Sequence, residues 1–98
     1  MKFIIEIASS DFSTTVSAVE GGADRIELCA NLTEGGTTPS IATIRRCREK
    51  FSIAIFPIIR PRGGDFLYTK DEYEIMLQDA KLCKELGSRS RIAVITSS

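Results

Sequence analysis

The feature that most constrains this fold is a regular alternation of β-type runs with segments of helical periodicity. The β-type runs occupy residues 3–8, 23–29 and 52–59, and each is followed by apolar residues at helical spacing. Residues 92–95 form a possible fourth run. Since alternation at this spacing is typical of right-handed crossovers between parallel strands, the sequence predicts an α/β fold in the order βαβαβα, followed by a short fourth strand.

The length of the chain limits how much of a larger α/β architecture it can form. A complete (β/α)8 or TIM barrel needs about 250 residues, whereas this chain has 98. The sequence therefore predicts the first three to four parallel units of such a barrel, within one domain that spans residues 1–98. In an incomplete barrel the first and fourth strands keep open edges, which favours self-association or a homo-oligomer.

Charge and hydrophobicity argue against several classes of partner. The 13 basic and 13 acidic residues balance, so neither nucleic acid nor an anionic membrane surface is an expected partner. The apolar runs are too short to cross a bilayer, and Glu6 interrupts the stretch where a secretion signal would continue. We therefore expect a cytoplasmic protein, with the nucleus as a further permitted compartment. Three cysteines and no histidine argue against a disulfide framework and a zinc site.

Capping residues predict where the second and third helices begin. Thr38 and Pro39 are typical of a helix start, because threonine accepts hydrogen bonds from the first turn and proline suits the first helical position. Thr69, followed three residues later by Glu72, forms a capping-box pattern for the third helix. The inner face of that helix is predicted to carry Tyr73, Met76, Leu77, Ala80 and Cys83.

A candidate site follows the third strand, where an apolar run ends in Arg60, Arg62, a glycine pair and Asp65. Glu6, Glu27 and Arg60 are each predicted to lie near the C-terminal end of a strand, the edge where parallel α/β folds build their sites. Because a buried carboxylate needs a partner, we expect the two glutamates to surround Arg60 in a layer of charge-assisted hydrogen bonds. Arg62 and Asp65 would extend that layer.

Two interpretations of this constellation are open. In the first, it is a buried ion-pair layer that carries no chemistry. In the second, it is a pocket for a small anionic or sugar-like ligand, in which Arg60 and Arg62 clamp the anion and Glu27 serves as acid or base. Glu6 is a further catalytic candidate in the second interpretation.

Two glycine pairs are candidates for presenting backbone N–H groups to an anion. Gly63 and Gly64 lie in the loop after Arg60, beside Asp65, and are candidate ligand-binding residues. Residues 35–38 precede the second helix and are a second candidate cradle. A simple turn, or a loop with a helix cap, is the alternative explanation for each pair.

Three segments resemble the signature of one protein family. Residues 21–29 (GGADRIELC), 35–40 (GGTTPS) and 59–66 (IRPRGGDF) have the order and spacing of the CutC family, the copper homeostasis proteins. The resemblance extends from residue 6 to residue 87. It implies a (β/α)8 barrel, a cytoplasmic protein that self-associates, and a role in copper(I) binding or tolerance. A copper ion is then an expected partner or cofactor, while the family brings no established reaction.

This chain departs from the family pattern at one cysteine. The family commonly has a cysteine at the end of the first strand, and Ala8 stands at the matching position here. Cys29 matches the second family cysteine and shares the predicted face of Glu27, so it is the candidate metal ligand. Because copper(I) prefers two or more soft ligands, a single thiolate makes a weak site within the chain.

Residues 88–98 are a second departure from the family pattern. The family continues into an apolar fourth strand after the third helix, whereas this chain reads SRSRIAVITSS. The resemblance therefore predicts a CutC-like protein in a truncated or alternatively spliced form, with impaired activity. The alternative is a fragment of a TIM-barrel enzyme that acts on a small anionic or sugar-like substrate.

Overall fold

Strands and helices alternate along the chain in the predicted order. The computed structural model describes residues 3–87 and the backbone of residues 93 and 94. Ile92 and Ile95, the ends of the predicted fourth strand, lie outside the described residues. The elements are β1 (Glu6–Ser9), α1 (Phe12–Glu20), β2 (Arg25–Leu28), a 3-10 turn (Leu32–Glu34), α2 (Ile41–Lys50), β3 (Ala54–Ile59), α3 (Lys70–Leu86) and β4 (Ala93–Val94).

The four strands form one parallel sheet in the order β1-β2-β3-β4. Ala8 lies opposite Glu27, and Glu27 lies opposite Phe56, so these three side chains share one face of the sheet. Within the described residues the sheet is open, with β1 and β4 at its edges. The predicted α/β fold of parallel units is confirmed, and the described part is not a closed barrel.

One face of the sheet packs against all three helices and forms the core. Cys47 and Cys83 lie in this layer, which confirms that both are buried on apolar helix faces. Burying an aliphatic side chain contributes about 1.5–3 kcal/mol, so this layer holds the helices on the sheet. Its fully buried aliphatic members from the strands and α2 are Ile26, Leu28, Ile44, Ile55 and Ile59.

The helix starts agree with the sequence for α3 and differ for α2. Thr69 and Glu72 form the predicted capping box at the start of α3. The N-cap of α2 is Ser40, so the prediction of Thr38 and Pro39 as the helix start is wrong. Thr38 is not the cap because its Oγ1 accepts a hydrogen bond from the backbone N–H of Arg60 at 2.8 Å.

The buried stripe of α3 is narrower than the sequence predicts. Met76 and Cys83, seven residues apart, are buried, whereas Tyr73 is 51% exposed and Leu77 is 50% exposed. Ala80 is partly buried. Because α3 packs mainly against α2 and β3, one narrow stripe of the helix is covered. No helix within residues 3–87 combines the length and the apolarity that crossing a bilayer would require.

Candidate functional site

The loop that joins β3 to α3 is built around Arg60. This residue follows the last residue of β3 and is only 5% exposed. Its Nη1 donates to the carbonyl oxygens of Glu34 at 2.6 Å and Gly36 at 3.1 Å, and its Nη2 donates to that of Gly64 at 2.9 Å. The backbone of Arg60 is held by Thr38, whose N–H donates to the Arg60 carbonyl at 2.9 Å. The guanidinium thus ties two loops together.

The positive charge of Arg60 has no carboxylate partner among the described residues. Its guanidinium lies over the ring of Phe66, 4.7 Å from the ring centroid, and its other contacts are the three neutral carbonyls. The Nε atom is buried and makes no hydrogen bond within the described residues. Since an arginine has five N–H donors, two of them remain without a described acceptor. A buried charge of this kind is costly unless an anion compensates it.

The predicted layer of Glu6, Glu27 and Arg60 does not form. Glu6 is the first residue of β1, so it lies at the opposite end of the sheet from Arg60. Its carboxylate Oε1 lies 3.1 Å from Nε of Arg25, which faces it across the register. Glu27 lies opposite Phe56 and forms no ion pair within the described residues. The prediction placed Glu6 near the end of its strand, whereas the strand begins there.

Arg62 makes a different set of contacts from Arg60, although it is only two residues away. Its Nε donates to Oε2 of Glu72, and its Nη1 donates to the carbonyls of Gly63 at 3.1 Å and Asp65 at 2.8 Å. Its Nη2 donates to Oδ1 of Asp65 at 3.1 Å and to the Leu67 carbonyl at 2.9 Å. All three of its side-chain nitrogens are therefore engaged by its own loop and by the first turn of α3. In this conformation Arg62 shapes the loop, and its predicted contact with a ligand stays a prediction.

Asp65 in this loop and Glu72 in the first turn of α3 both have lowered pKa values. The backbone N–H of Leu67 is the main cause for Asp65, followed by the hydrogen bond from Arg62. The backbone N–H of Thr69 is the main cause for Glu72, again followed by Arg62. Because both groups stay ionised, they balance the charge of Arg62 over a wide pH range.

The glycine pair at 63 and 64 has backbone N–H groups that make no hydrogen bond to another described residue. Gly64 has a φ of +83°, a conformation that favours glycine. At Gly63 a Cβ would collide with the carboxylate of Glu34, so a side chain there would require Glu34 to move. The role of this pair as anion donors stays a prediction.

The second glycine pair is not an anion cradle. Gly35 and Gly36 both have positive φ, and this turns their segment so that its carbonyls point to Arg60. The four backbone N–H groups of residues 35–38 are all used within the protein. Their acceptors are the carbonyls of Leu32, Asn31, Ala30 and Arg60, at 2.8–3.1 Å. The segment holds a cation, which is the reverse of the predicted role.

Cys29 lies just beyond the end of β2 and is 1% exposed. Its thiol donates to the Ser9 carbonyl at 3.4 Å. Burial raises the pKa of the thiol, and the negative charge of Glu27 raises it further. Within the described residues no three histidine, cysteine or acidic side chains gather as a metal site. Cys47 and Cys83 lie in the core layer on the helix side, so neither supplies a second thiolate to Cys29.

Several contacts around Arg60 were not found by reasoning from the sequence. The carbonyl of Glu34, the hydroxyl of Thr38 and the ring of Phe66 all contact Arg60. The hydroxyl of Tyr68 is buried and makes no hydrogen bond within the described residues. The only signal in the sequence is the glycine pair before α2, which marks a loop able to turn its carbonyls inward.

The strand order, the two loops and Cys29 belong to a sequence that has known relatives. Its sequence matches the CutC family over residues 3–97. This chain belongs to the CutC family. The resemblance of the three segments is therefore confirmed, and the parallel β/α units are those of the family's TIM-barrel-like fold.

Relatives from distant organisms share about half of the sequence. The family protein CutC of Chromobacterium violaceum is 48% identical over 87 residues, which cover 89% of this chain and 35% of that protein. The copper homeostasis protein cutC homolog of Homo sapiens is 46% identical over 86 residues, which cover 88% of this chain and 32% of that protein. This chain thus spans roughly a third of the length of these curated relatives.

A solved structure supports the fold directly. The crystal structure of a copper homeostasis protein CutC from Streptococcus agalactiae superposes with a TM-score of 0.81 at 32% sequence identity. The match covers 97% of this chain and 48% of that chain. The open sheet described here therefore corresponds to about half of the solved CutC chain.

Proposed function

We propose that this CutC family chain contributes a binding site for a small anion, centred on Arg60. The observation that carries the proposal is that Arg60 is only 5% exposed, while its guanidinium has no carboxylate partner among the described residues. A carboxylate or phosphate would supply the missing charge.

The contacts of Arg60 orient the guanidinium without neutralising it. Three carbonyl dipoles hold the Nη atoms, while the Nε–H and one Nη2–H are left for an acceptor. Two parallel N–H groups on one guanidinium suit two oxygens of one carboxylate or phosphate. The Phe66 ring lies over the face of the guanidinium, 4.7 Å from its centroid, so the in-plane N–H groups are the ones that a ligand would contact.

The neighbouring residues would take supporting roles in such a site. The N–H groups of Gly63 and Gly64 are candidate backbone donors, because the Gly64 carbonyl accepts a hydrogen bond from Arg60. Arg62 and Asp65 fix the loop that presents them. Glu27 is the candidate acid or base on this side of the sheet, while Glu6, paired with Arg25, is a weaker catalytic candidate.

Replacing Arg60 tests the anion site. In the 98-residue chain, Arg60→Met is expected to lower phosphate and acetate affinity at least tenfold, as measured by calorimetric titration. Arg25→Met is the matched control, because Arg25 is already paired with Glu6 and lies at the other end of the sheet. Arg60→Lys keeps the charge in place and should retain measurable binding. Equal affinity in wild type and both Arg60 variants would contradict the proposal.

A role in copper handling is the second candidate, favoured by the printed name of the human relative and by the position of Cys29. The described residues supply one thiol there and no second soft donor, since Ala8 stands where the family pattern has a cysteine. Titration with copper(I) should therefore show only weak binding, lost in Cys29→Ala and kept in the control Cys47→Ala. Identical binding in all three proteins would remove Cys29 as the ligand.

The activity of whole CutC proteins is a proposal for this chain, because it spans roughly a third of its curated relatives. A related prediction is that the activity of this chain alone is impaired. It is tested by comparing anion and copper(I) affinities of the 98-residue chain with those of a full-length relative. Equal affinities would contradict it.

A further inference from the structure

Glu27 is the counterpart of Arg60, because its carboxylate has no ionic partner among residues 3–87. It lies half-buried on β2, flanked in the register by Ala8 and Phe56. Its carboxylate forms no ion pair and no hydrogen bond with another described residue. The nearest cation on its own strand, Arg25, is already paired with Glu6. The sheet thus carries a negative charge that no side chain within residues 3–87 balances.

A short series of contacts connects Glu27 to Arg60. Glu27 and Cys29 are two residues apart on β2, and the charge of Glu27 reaches the Cys29 thiol. Gly36 packs against Cys29, since a Cβ on Gly36 would lie 3.3 Å from the Cys29 Cβ. The carbonyl of Gly36 then accepts a hydrogen bond from Arg60. Along the strand direction, the backbone of Cys29 therefore lies between the positions of Glu27 and Arg60.

Glu27 and Arg60 lie farther apart along the sheet than the two residues of a direct ion pair. Glu27 lies opposite Phe56, and Arg60 comes four residues after Phe56 along the chain. At 3.3 Å per residue this is about 13 Å along the strand between the backbone positions. A small molecule with opposite charges at its two ends has a suitable length to bridge them.

We infer that the anion site takes a small zwitterion, whose anionic group binds Arg60 and whose ammonium group binds Glu27. The inference rests on the proposed function, because it uses the same Arg60 site and adds a second point of contact. Within the described residues, a buried guanidinium and a carboxylate on β2 both lack an ionic partner, and they fit opposite ends of one ligand. An anion alone would leave the charge of Glu27 unbalanced, and a cation alone would leave that of Arg60 unbalanced.

Matched pairs of ligands test the inference on the 98-residue chain. Butanoate and 4-aminobutanoate have the same carboxylate and the same carbon chain, and differ only in the ammonium group. Wild type is expected to bind 4-aminobutanoate about fivefold more tightly than butanoate, the effect of one added charge pair. Glycine and 6-aminohexanoate, each compared with its unsubstituted acid, extend the series and measure the length that the site accepts.

Two isosteric variants assign the ammonium contact. Glu27→Gln should remove the preference for the amino acid, because the neutral amide cannot form an ion pair with the ammonium group. Glu6→Gln is the matched control, because Glu6 is paired with Arg25, and it should keep the preference. Thermal unfolding of each variant checks that the fold is retained. A preference that survives in Glu27→Gln would overturn the inference.

The failure of this inference can be told from the failure of the anion site. If butanoate and every amino acid of the series bind equally, and Arg60→Met removes both, the zwitterion inference is overturned and the anion site stands. If neither butanoate nor any amino acid of the series binds to wild type, the anion site and the zwitterion inference are both overturned. The same holds if Arg60→Met binds all of these ligands as tightly as wild type does.

Discussion

Arg60 and Arg62 are two residues apart in one loop, and the protein uses them in opposite ways. Arg60 is 5% exposed and its guanidinium contacts three neutral carbonyls and an aromatic ring. The side chain of Arg62 is 36% exposed and contacts two carboxylates, Asp65 and Glu72. Arg60, the more buried of the two, is therefore the one without a carboxylate partner among the described residues. Arg62, whose charge is compensated by two carboxylates, stabilises the loop, whereas Arg60 is suited to bind an anion.

The largest effect is expected from changing the loop that supplies carbonyls to Arg60. Gly36 has a φ of +94°, and a Cβ there would contact Cys29. Gly36→Ala should therefore cost about 1–3 kcal/mol of stability from backbone strain and crowding, and it should weaken phosphate binding. Gly22→Ala is the matched control, since Gly22 has a φ of +101° with nothing near its Cβ position. Chemical unfolding and phosphate titration of both variants measure the difference. A larger loss in Gly22→Ala would contradict the role of the 35–38 loop.

A smaller effect is expected from removing the arginine that builds the loop. Arg62→Met should leave the fold intact and lower phosphate affinity roughly three- to tenfold, because the ligand must then order the loop around Gly63 and Gly64. Arg46→Met is the control, since Arg46 forms only an exposed contact with Glu49 at 3.8 Å. Complete loss of phosphate binding in Arg62→Met, equal to that in Arg60→Met, would show that Arg62 contacts the ligand directly.

The smallest effect concerns acid stability. The folded protein holds the pKa values of Asp65 and Glu72 below their ordinary range. Such groups contribute stability above their unfolded pKa, and that contribution is lost as pH falls through the folded pKa. Wild type should thus lose stability below about pH 4, and Arg62→Met should lose less over that range. Unfolding midpoints at pH 5, 4 and 3 test this, and identical pH profiles would contradict it.

Much of the fold could be predicted from the sequence because its signals are local. The alternation of strands and helices, the Thr69–Glu72 capping box and the two core cysteines each depend on residues close in sequence. The family could be predicted from three short segments for the same reason. These features needed no knowledge of how the loops fold.

The site could be predicted only in part, because its partners are set by the conformations of two loops. Arg60 was expected to meet side-chain carboxylates, and it meets backbone carbonyls of residues 34, 36 and 64 instead. Which way a carbonyl points depends on the positive φ of Gly35 and Gly36, and no residue pattern states that direction. The position of Glu6 was wrong because the strand begins at that residue rather than ending near it.

The central claim is that Arg60, and not Arg62, is the cation left for an anion. Nitrogen-15 NMR of the arginine Nε–H groups tests it most directly, during titration of the 98-residue chain with phosphate. The Arg60 Nε–H has no acceptor among the described residues, so its signal is expected to shift in a saturable way. The Arg62 Nε–H already donates to Glu72, so its signal should stay in place. A shift of the Arg62 signal alone, or no shift of either signal, would contradict the account.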